Sequence, residues 1–462
     1  MIVTSESALS QVAPPNLPLA PLAYDPRYQE QYNNVLRLYF NQLNKIIGQL
    51  MASTSTLPVS IGGTNTDAFG RLRASQPYTL FDSQNRYAAD SQFDTGTVSG
   101  GSTTYLANES TVQLNVTTTS GSEVVRQTYR SLPYQPGKSL LCMATFSMHP
   151  ATVSGLRQRV GYFNPQNGVF FQRTDAATPT LAFVLRSFIS GSASDARTVA
   201  QSSWNGDKLD GTGASGLTLD TTKAQILWMD FEWLGVGSVR CGFIINGQYV
   251  VCHTFHNANT IASVYMTTAT LNVRYEITAT TALASTAALK QICSSVVSEG
   301  GYERYSIGHV ARRTTAFTTI GTTAVPLVSI RLKSTALGAV VLPSQIEVLP
   351  TTSQNYEVLL VKNPVLVGAS WVTHPTDPNV EYDISATATA AGTVVQQGFT
   401  TASGSGGSKS LTASTGYNWA LQPGVSLAGV SDILTIQIRT VSGATTGDAV
   451  AALSFWDLLT TA

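Results

Sequence analysis

Charge is what this chain has least of: 12% of its 462 residues are ionisable Asp, Glu, Lys or Arg, and the 27 acids balance the 27 bases. That composition gives no field to steer nucleic acid, an anionic membrane or a polyanionic substrate toward it. Partners must be met through shape and hydrogen bonding. Cysteine is equally sparse, and Cys142, Cys241, Cys252 and Cys293 form no CxxC or other metal-ligand spacing. The five histidines show no HxH or HExxH pattern, so neither a metal nor any other cofactor is expected. No apolar run reaches the roughly 18 residues of a membrane span, and the N-terminus lacks the basic and apolar regions of a signal peptide. A product made in the cytoplasm is expected. G-x-S-x-G is absent, and the Gly-rich segment 205–218 has no GK[ST] and precedes a strand pattern, not a helix, which excludes a phosphate cradle.

What the chain has in abundance is Thr, Ser, Gly and short alternating apolar runs, the text of a β-rich protein built into an assembly. The most regular stretch is 225–254. Leu227, Met229, Phe231 and Trp233 alternate with Trp228, Asp230 and Glu232, the period of a strand with one face in the core. Alternation resumes from Val239, and Asn246-Gly247 supplies the two positive-φ positions of a type I′ turn. Counting outward from that turn pairs Cys241 with Cys252, either as buried thiols or as a cross-strand disulfide. Further alternating runs between residues 88 and 313, separated by turn signals, predict a large sandwich of the concanavalin-like or jelly-roll kind. A second set of runs over 314–462 predicts a smaller immunoglobulin-like or jelly-roll β domain, with Trp371 and Trp419 as core aromatics.

The N-terminal part differs. Residues 1–23 hold Pro14, Pro15, Pro18 and Pro21 and read as an extended arm. Asp25-Pro26 then opens a helix to about Met51, so 1–55 is an arm plus a helix and 56–87 a connector. Tyr32, Leu36, Tyr39, Leu43, Ile46 and Leu50 are spaced four, three, four, three and four apart, a heptad seam. Self-association, most simply as a parallel homotrimer, competes here with packing of the helix on its own domain.

Two constellations bear on chemistry. Asp230 and Glu232, two apart on a strand, resemble the E-x-D-x-E run of concanavalin-like glycosidases, whose outer acids attack and protonate the glycosidic bond. Trp228 stands where the nucleophile is required, so no catalytic residue is assigned, and Asp230 and Glu232 are expected to be pair-bonded structural acids, with Arg240 on the next strand as a candidate partner. Tyr162, Phe163 and Phe170, around Asn164 and Asn167, have the makeup of a sugar-stacking platform, although aromatics at strand ends also serve as core caps.

The strings AYDPRYQEQYNNVLRLYFNQLN (23–44), DAFGRLRASQPYTLFDSQNRY (67–87), WNGDKLDGTG (204–213) and ILWMDFEWLGVGSVRCGFIINGQ (226–248) resemble virion structural proteins of tailed bacteriophages, especially those of marine and cyanobacterial hosts. The resemblance covers roughly residues 20–310. It implies a non-enzymatic particle component (tail, fibre or capsid decoration) that contacts itself and other virion proteins, located in the virion after assembly in the host cytoplasm. It also implies a possible role in host attachment. The alternative is a surface protein that binds or degrades a host glycan through a concanavalin-like domain.

Overall fold

Alternation and one turn decide the centre of the fold. In the computed structural model, which describes residues 17, 23–55, 76–303, 306–400, 409–411, 419–441 and 446–458, strands Gln225–Phe231, Val239–Ile245 and Gln248–Phe255 are consecutive antiparallel neighbours. Asn246 and Gly247 take φ of 53° and 75°, the left-handed pair that a type I′ turn demands. The register runs from Ile245 opposite Gln248 to Gly242 opposite Val251, then slips, so that Cys241 faces His253. Cys252 is the extra residue of a β-bulge. The expected pairing of Cys241 with Cys252 is therefore corrected, and both thiols are free and buried.

These strands belong to an eight-stranded antiparallel sheet that continues through Leu140–Ser147, Ala287–Ser298, Thr111–Val116 and Ser102–Leu106, with Tyr78–Gln84 also on Ala287–Ser298. A seven-stranded sheet runs Ser194–Ala200, Thr180–Ser187, Gly168–Thr174, Leu156–Phe163, Val273–Ala279, Glu123–Thr128 and Phe93–Val98. Their inner faces share one core. Phe171 of the second sheet meets Phe146 and Phe243 of the first at ring separations of 6.0 and 5.1 Å, and Tyr162 meets Phe231 at 5.4 Å. The predicted large sandwich is thus formed, with Leu227, Met229 and Phe231 at its centre.

The C-terminal strands make a second, smaller sandwich. A four-stranded sheet (Gly308–Ile320, Gly447–Asp457, Val341–Pro350, Lys409–Leu411) and a six-stranded sheet (Val372–His374, Asp377–Asp383, Val325–Leu332, Ile433–Thr440, Tyr356–Lys362, Thr393–Thr400) enclose their own apolar cluster. Two boundaries move. Strand Gly308–Ile320 crosses the expected division at 313/314, and Tyr78–Gln84 belongs to the large sandwich, not to a connector. Trp371 is half-buried, its ring 4.2 Å below the Arg331 guanidinium, instead of sitting in the core. The two sandwiches lie in one compact unit, 75–462, and are tied by backbone bonds such as Val425 N–H to Tyr129 O at 2.8 Å.

Residues 1–74 form a separate unit, whose described element is the helix Pro26–Ser55. Asp25 caps it, its Oδ1 accepting the Arg27 N–H at 2.8 Å, with Pro26 in the first turn where no N–H is needed. Tyr32, Leu36, Tyr39 and Leu43 are half-buried along one stripe, while Leu38 and Phe40 are exposed. The side chains of Ile46 and Leu50, and the expected arm and most of the expected connector, lie outside the described residues. No helix is long and apolar enough to cross a membrane among the described residues.

Gly242 shows how tightly the central strands approach. A Cβ there would lie 1.9 Å from Val250 O and 3.0 Å from Trp228 Nε1. Gly242→Ala is expected to destabilise the large sandwich by about 1–3 kcal/mol, measured by urea unfolding, because the hairpin must open to admit the methyl group.

Candidate functional site

The acids of the central strand are committed to structure. Asp230 lies directly opposite Arg240 and is 7% exposed; Arg240 Nε donates to its Oδ1 at 2.8 Å and Nη2 to its Oδ2. The carboxylate raises the pKa of that guanidinium. Strand Gln225–Phe231 ends one residue before Glu232, whose N–H donates to Ser238 O at 3.3 Å and whose Oε1 accepts the Ser238 N–H at 3.2 Å. Both carboxylates are held by structural contacts, and Trp228, at the nucleophile's place, is 2% exposed. Each acid instead holds a strand connection in register. Asp230→Asn and Glu232→Gln are expected to leave a reducing-end release assay on glycans at the background of the unaltered chain.

The aromatic platform is corrected by burial. Tyr162, Phe163 and Phe170 are each 0% exposed and Asn167 is 1% exposed, so none can stack on a sugar. Tyr162 points inward, its hydroxyl donating to Leu132 O at 2.7 Å and accepting the Leu271 N–H at 3.1 Å, and burial raises its pKa. Asn167 ties the loop to Thr267 and Phe188. Asn164 accepts the N–H groups of Gln166 and Asn167 on Oδ1 at 2.9 and 2.8 Å, an Asx turn, and is half-buried. Of the five, only Asn164 borders open space: a cleft of about 670 Å³ between this end of the large sandwich and the C-terminal loops 334–339 and 425–429. Gln127, Thr268, Asn272 and Asn379 add to its polar lining.

Phe163 and Phe170 face outward from the seven-stranded sheet, and what covers them was not anticipated. Their rings, 4.4 Å apart, are roofed by guanidinium groups: Arg274 at 5.5 Å from Phe163, and Arg159 and Arg186 each at 5.1 Å from Phe170. Glu276, 3% exposed, gathers three of the sheet's arginines. Its Oε1 accepts Arg157 and Arg159 at 3.2 and 3.3 Å, and its Oε2 accepts Arg274 at 3.0 Å. Asp195 closes the outer end on Arg186 and Arg159. The available signal was the alternation Arg157-x-Arg159 and Arg274-x-Glu276, which places each pair on one strand face. Nothing in the sequence says that the two strands are neighbours.

His253 Nδ1 accepts the Asn205 N–H at 3.3 Å, and burial, with help from Arg197 and His256, pushes its pKa down to about 4, so it is neutral at pH 7. His149 Nδ1 accepts the Ala288 N–H at 3.2 Å, and its pKa is lowered by burial and Arg173. In the C-terminal sandwich, His309 and His374 pack on Phe455 and share Thr376. Among the described residues no three His, Cys, Asp or Glu side chains converge as a metal set. The Gly-rich loop 205–218 covers the edge strand Gln248–Phe255 instead of cradling an anion: Gly206 N–H and Asp207 N–H donate to Cys252 O and Val251 O, each at 2.9 Å. Asp207 and Asp210 fill the loop with carboxylates, and the covered edge is closed to strand addition.

No family model matches the chain, and no curated protein does. Among solved structures, the carbohydrate recognition domain of Emp47p is 10% identical with a TM-score of 0.29, over 52% of this chain and 99% of that one. Peanut lectin is 14% identical with a TM-score of 0.29, over 48% and 98%. A protein of unknown function from Shewanella oneidensis MR-1 is 10% identical with a TM-score of 0.32, over 63% and 100%. Scores this low carry no functional argument.

Proposed function

We propose that this protein is a non-enzymatic building block of a tailed-phage particle, a tail, fibre or capsid-surface component. It associates with copies of itself through the helix Pro26–Ser55, most simply as a homotrimer, and displays its two β sandwiches outward. The observation that carries the reading is the helix: it stands in a compact unit of its own, capped by Asp25 and bearing one apolar stripe. Within that unit the described residues include no second element for the stripe to pack on. The phage-like strings and the commitment of Asp230 and Glu232 to structural contacts point the same way. Light scattering of the full chain tests it: a mass of three chains is expected, and a monomer at all concentrations removes the self-association on which the reading depends. Antibody labelling of the C-terminal sandwich on intact particles then distinguishes head from tail.

A second reading, a glycan-binding surface protein, draws on the uncharged lining of the cleft beside Asn164, where amides and hydroxyls alternate with apolar side chains. Its glycan-degrading form has no support in the geometry of the acids. A glycan array probed with the full chain separates the two readings.

A further inference from the structure

The outer face of the eight-stranded sheet carries an apolar, aromatic patch. Across the register, Tyr249 lies opposite Ile244 and Ile244 opposite Ile226; one row on, Val251, Gly242, Trp228 and Met143 are successive neighbours. Tyr249, Ile226 and Val251 are 54%, 38% and 36% exposed. The Trp228 indole lies beneath, meeting the Tyr249 ring edge-on at 5.4 Å, and its Nε1 sits over Gly242, where the missing side chain makes room for it. That buried indole N–H has no acceptor among the described residues. The Tyr249 hydroxyl reaches only the thioether sulfur of Met143, at 3.9 Å, a weak acceptor, so little holds the phenol ring across the indole. Beside the patch lie Asp230 and the half-exposed Arg240.

We infer that this face binds a polysaccharide of flat, all-equatorial pyranose rings, of the β-1,4-linked glucose or N-acetylglucosamine class. The C–H face of such a ring stacks on Tyr249 as an apolar surface stacks on any aromatic. When the phenol ring swings off Met143, a sugar oxygen reaches the Trp228 N–H and supplies the acceptor that it lacks. A buried donor is costly to leave unpaired, and an aliphatic protein surface laid on the patch would leave it so, whereas a sugar brings an acceptor. The half-exposed Arg240, held by Asp230 through Nε and Nη2, offers its Nη1 as a donor to hydroxyls at the edge. The site rests on the glycan-binding reading but not on the cleft beside Asn164, and it is independent of self-association through the helix.

The test is titration of the full chain with cellohexaose and with chitohexaose, followed by tryptophan fluorescence and calorimetry, with maltohexaose, whose linkages are axial, as the control. One equatorial hexasaccharide is expected to bind and maltohexaose not. Tyr249→Ala is expected to weaken binding by about tenfold. Trp228→Phe, which keeps an aromatic ring and removes the N–H, should weaken it several-fold with the melting temperature little changed. If neither equatorial hexasaccharide binds at millimolar concentration, the proposal is overturned. Binding that survives both substitutions also overturns it while leaving glycan recognition elsewhere on the chain intact. If Tyr249→Ala instead lowers the mass in light scattering, the patch is buried against a second copy and the proposal falls.

Discussion

Glu276→Ala is expected to cost the large sandwich about 3–5 kcal/mol, because it removes a carboxylate that three arginines share on a buried sheet face. Strand Val273–Ala279 is buried on both faces, so water has little access to Arg274 and Arg159, while Arg157 is partly exposed. Arg274 would retain only Gln127, at 2.9 Å, and Arg159 would keep Gln172 and Asp195, the latter at 3.4 Å. The strain on these cations is already present: burial pulls the Arg159 pKa down to about 10 even with Glu276 beside it. Glu276→Gln keeps the shape and one of the two acceptor oxygens but not the charge, and should cost less. Urea unfolding at neutral pH, read by tryptophan fluorescence, ranks the three proteins. Equal midpoints for all three would show that the cluster contributes nothing net.

The same residue sets a pH dependence. Burial drives the Glu276 carboxyl upward, but Arg274, Arg159 and Arg157 outweigh it and leave the pKa below the ordinary 4.5. With the folded value depressed, the unfolded chain takes up the proton first as pH falls. The contribution is therefore complete above about the ordinary glutamate range and is lost as pH drops through the folded value. Unfolding free energy should fall on acidification below that range, and Glu276→Gln should flatten that part of the curve. Asp195, raised by burial but lowered further by Arg186 and Arg159, adds in the same direction.

How much of this was legible in advance differs between the core and its outer faces. A period of two marks which residues of a strand share a face, and it located the central hairpin, because Asn246-Gly247 fixes the turn and leaves little freedom in pairing. It cannot tell whether the other face is open. Phe163 and Phe170 alternate with core residues and would be exposed on a bare sheet; they are covered because Arg274, from a strand distant in sequence, folds over Phe163, and Arg159 and Arg186, from the strands before and after it, fold over Phe170. The same limit hid the bulge at Cys252, a departure of one residue that no composition signals. Local rules also sufficed for the helix start, where Asp25 and Pro26 act within one turn.

Leu36→Asp combined with Leu43→Asp is expected to convert an assembly of copies into single chains. Both leucines lie on the half-buried stripe with Tyr32 and Tyr39, one heptad apart, so in a parallel bundle each meets its own equivalents across the seam. The flanks contribute little that could rescue the contact: Gln29 bonds Asn33 at 3.3 Å and Arg37 bonds Asn34 at 2.7 Å, within one helix. An unpaired carboxylate in a dry seam costs several kcal/mol, and each ~1.4 kcal/mol is tenfold in affinity, so association should weaken by about a thousandfold or more. The helix itself survives, since Asp lowers helix propensity only modestly at each position. The β sandwiches, in a separate compact unit, should keep their melting temperature. That pairing of outcomes, mass reduced to one chain with the β melt unchanged, is specific to an intermolecular seam. If the stripe packed within its own chain, the double substitution would alter the protein's stability and leave its mass alone. Full retention of the three-chain mass in the double variant would place the association elsewhere and leave the stripe without a role in it.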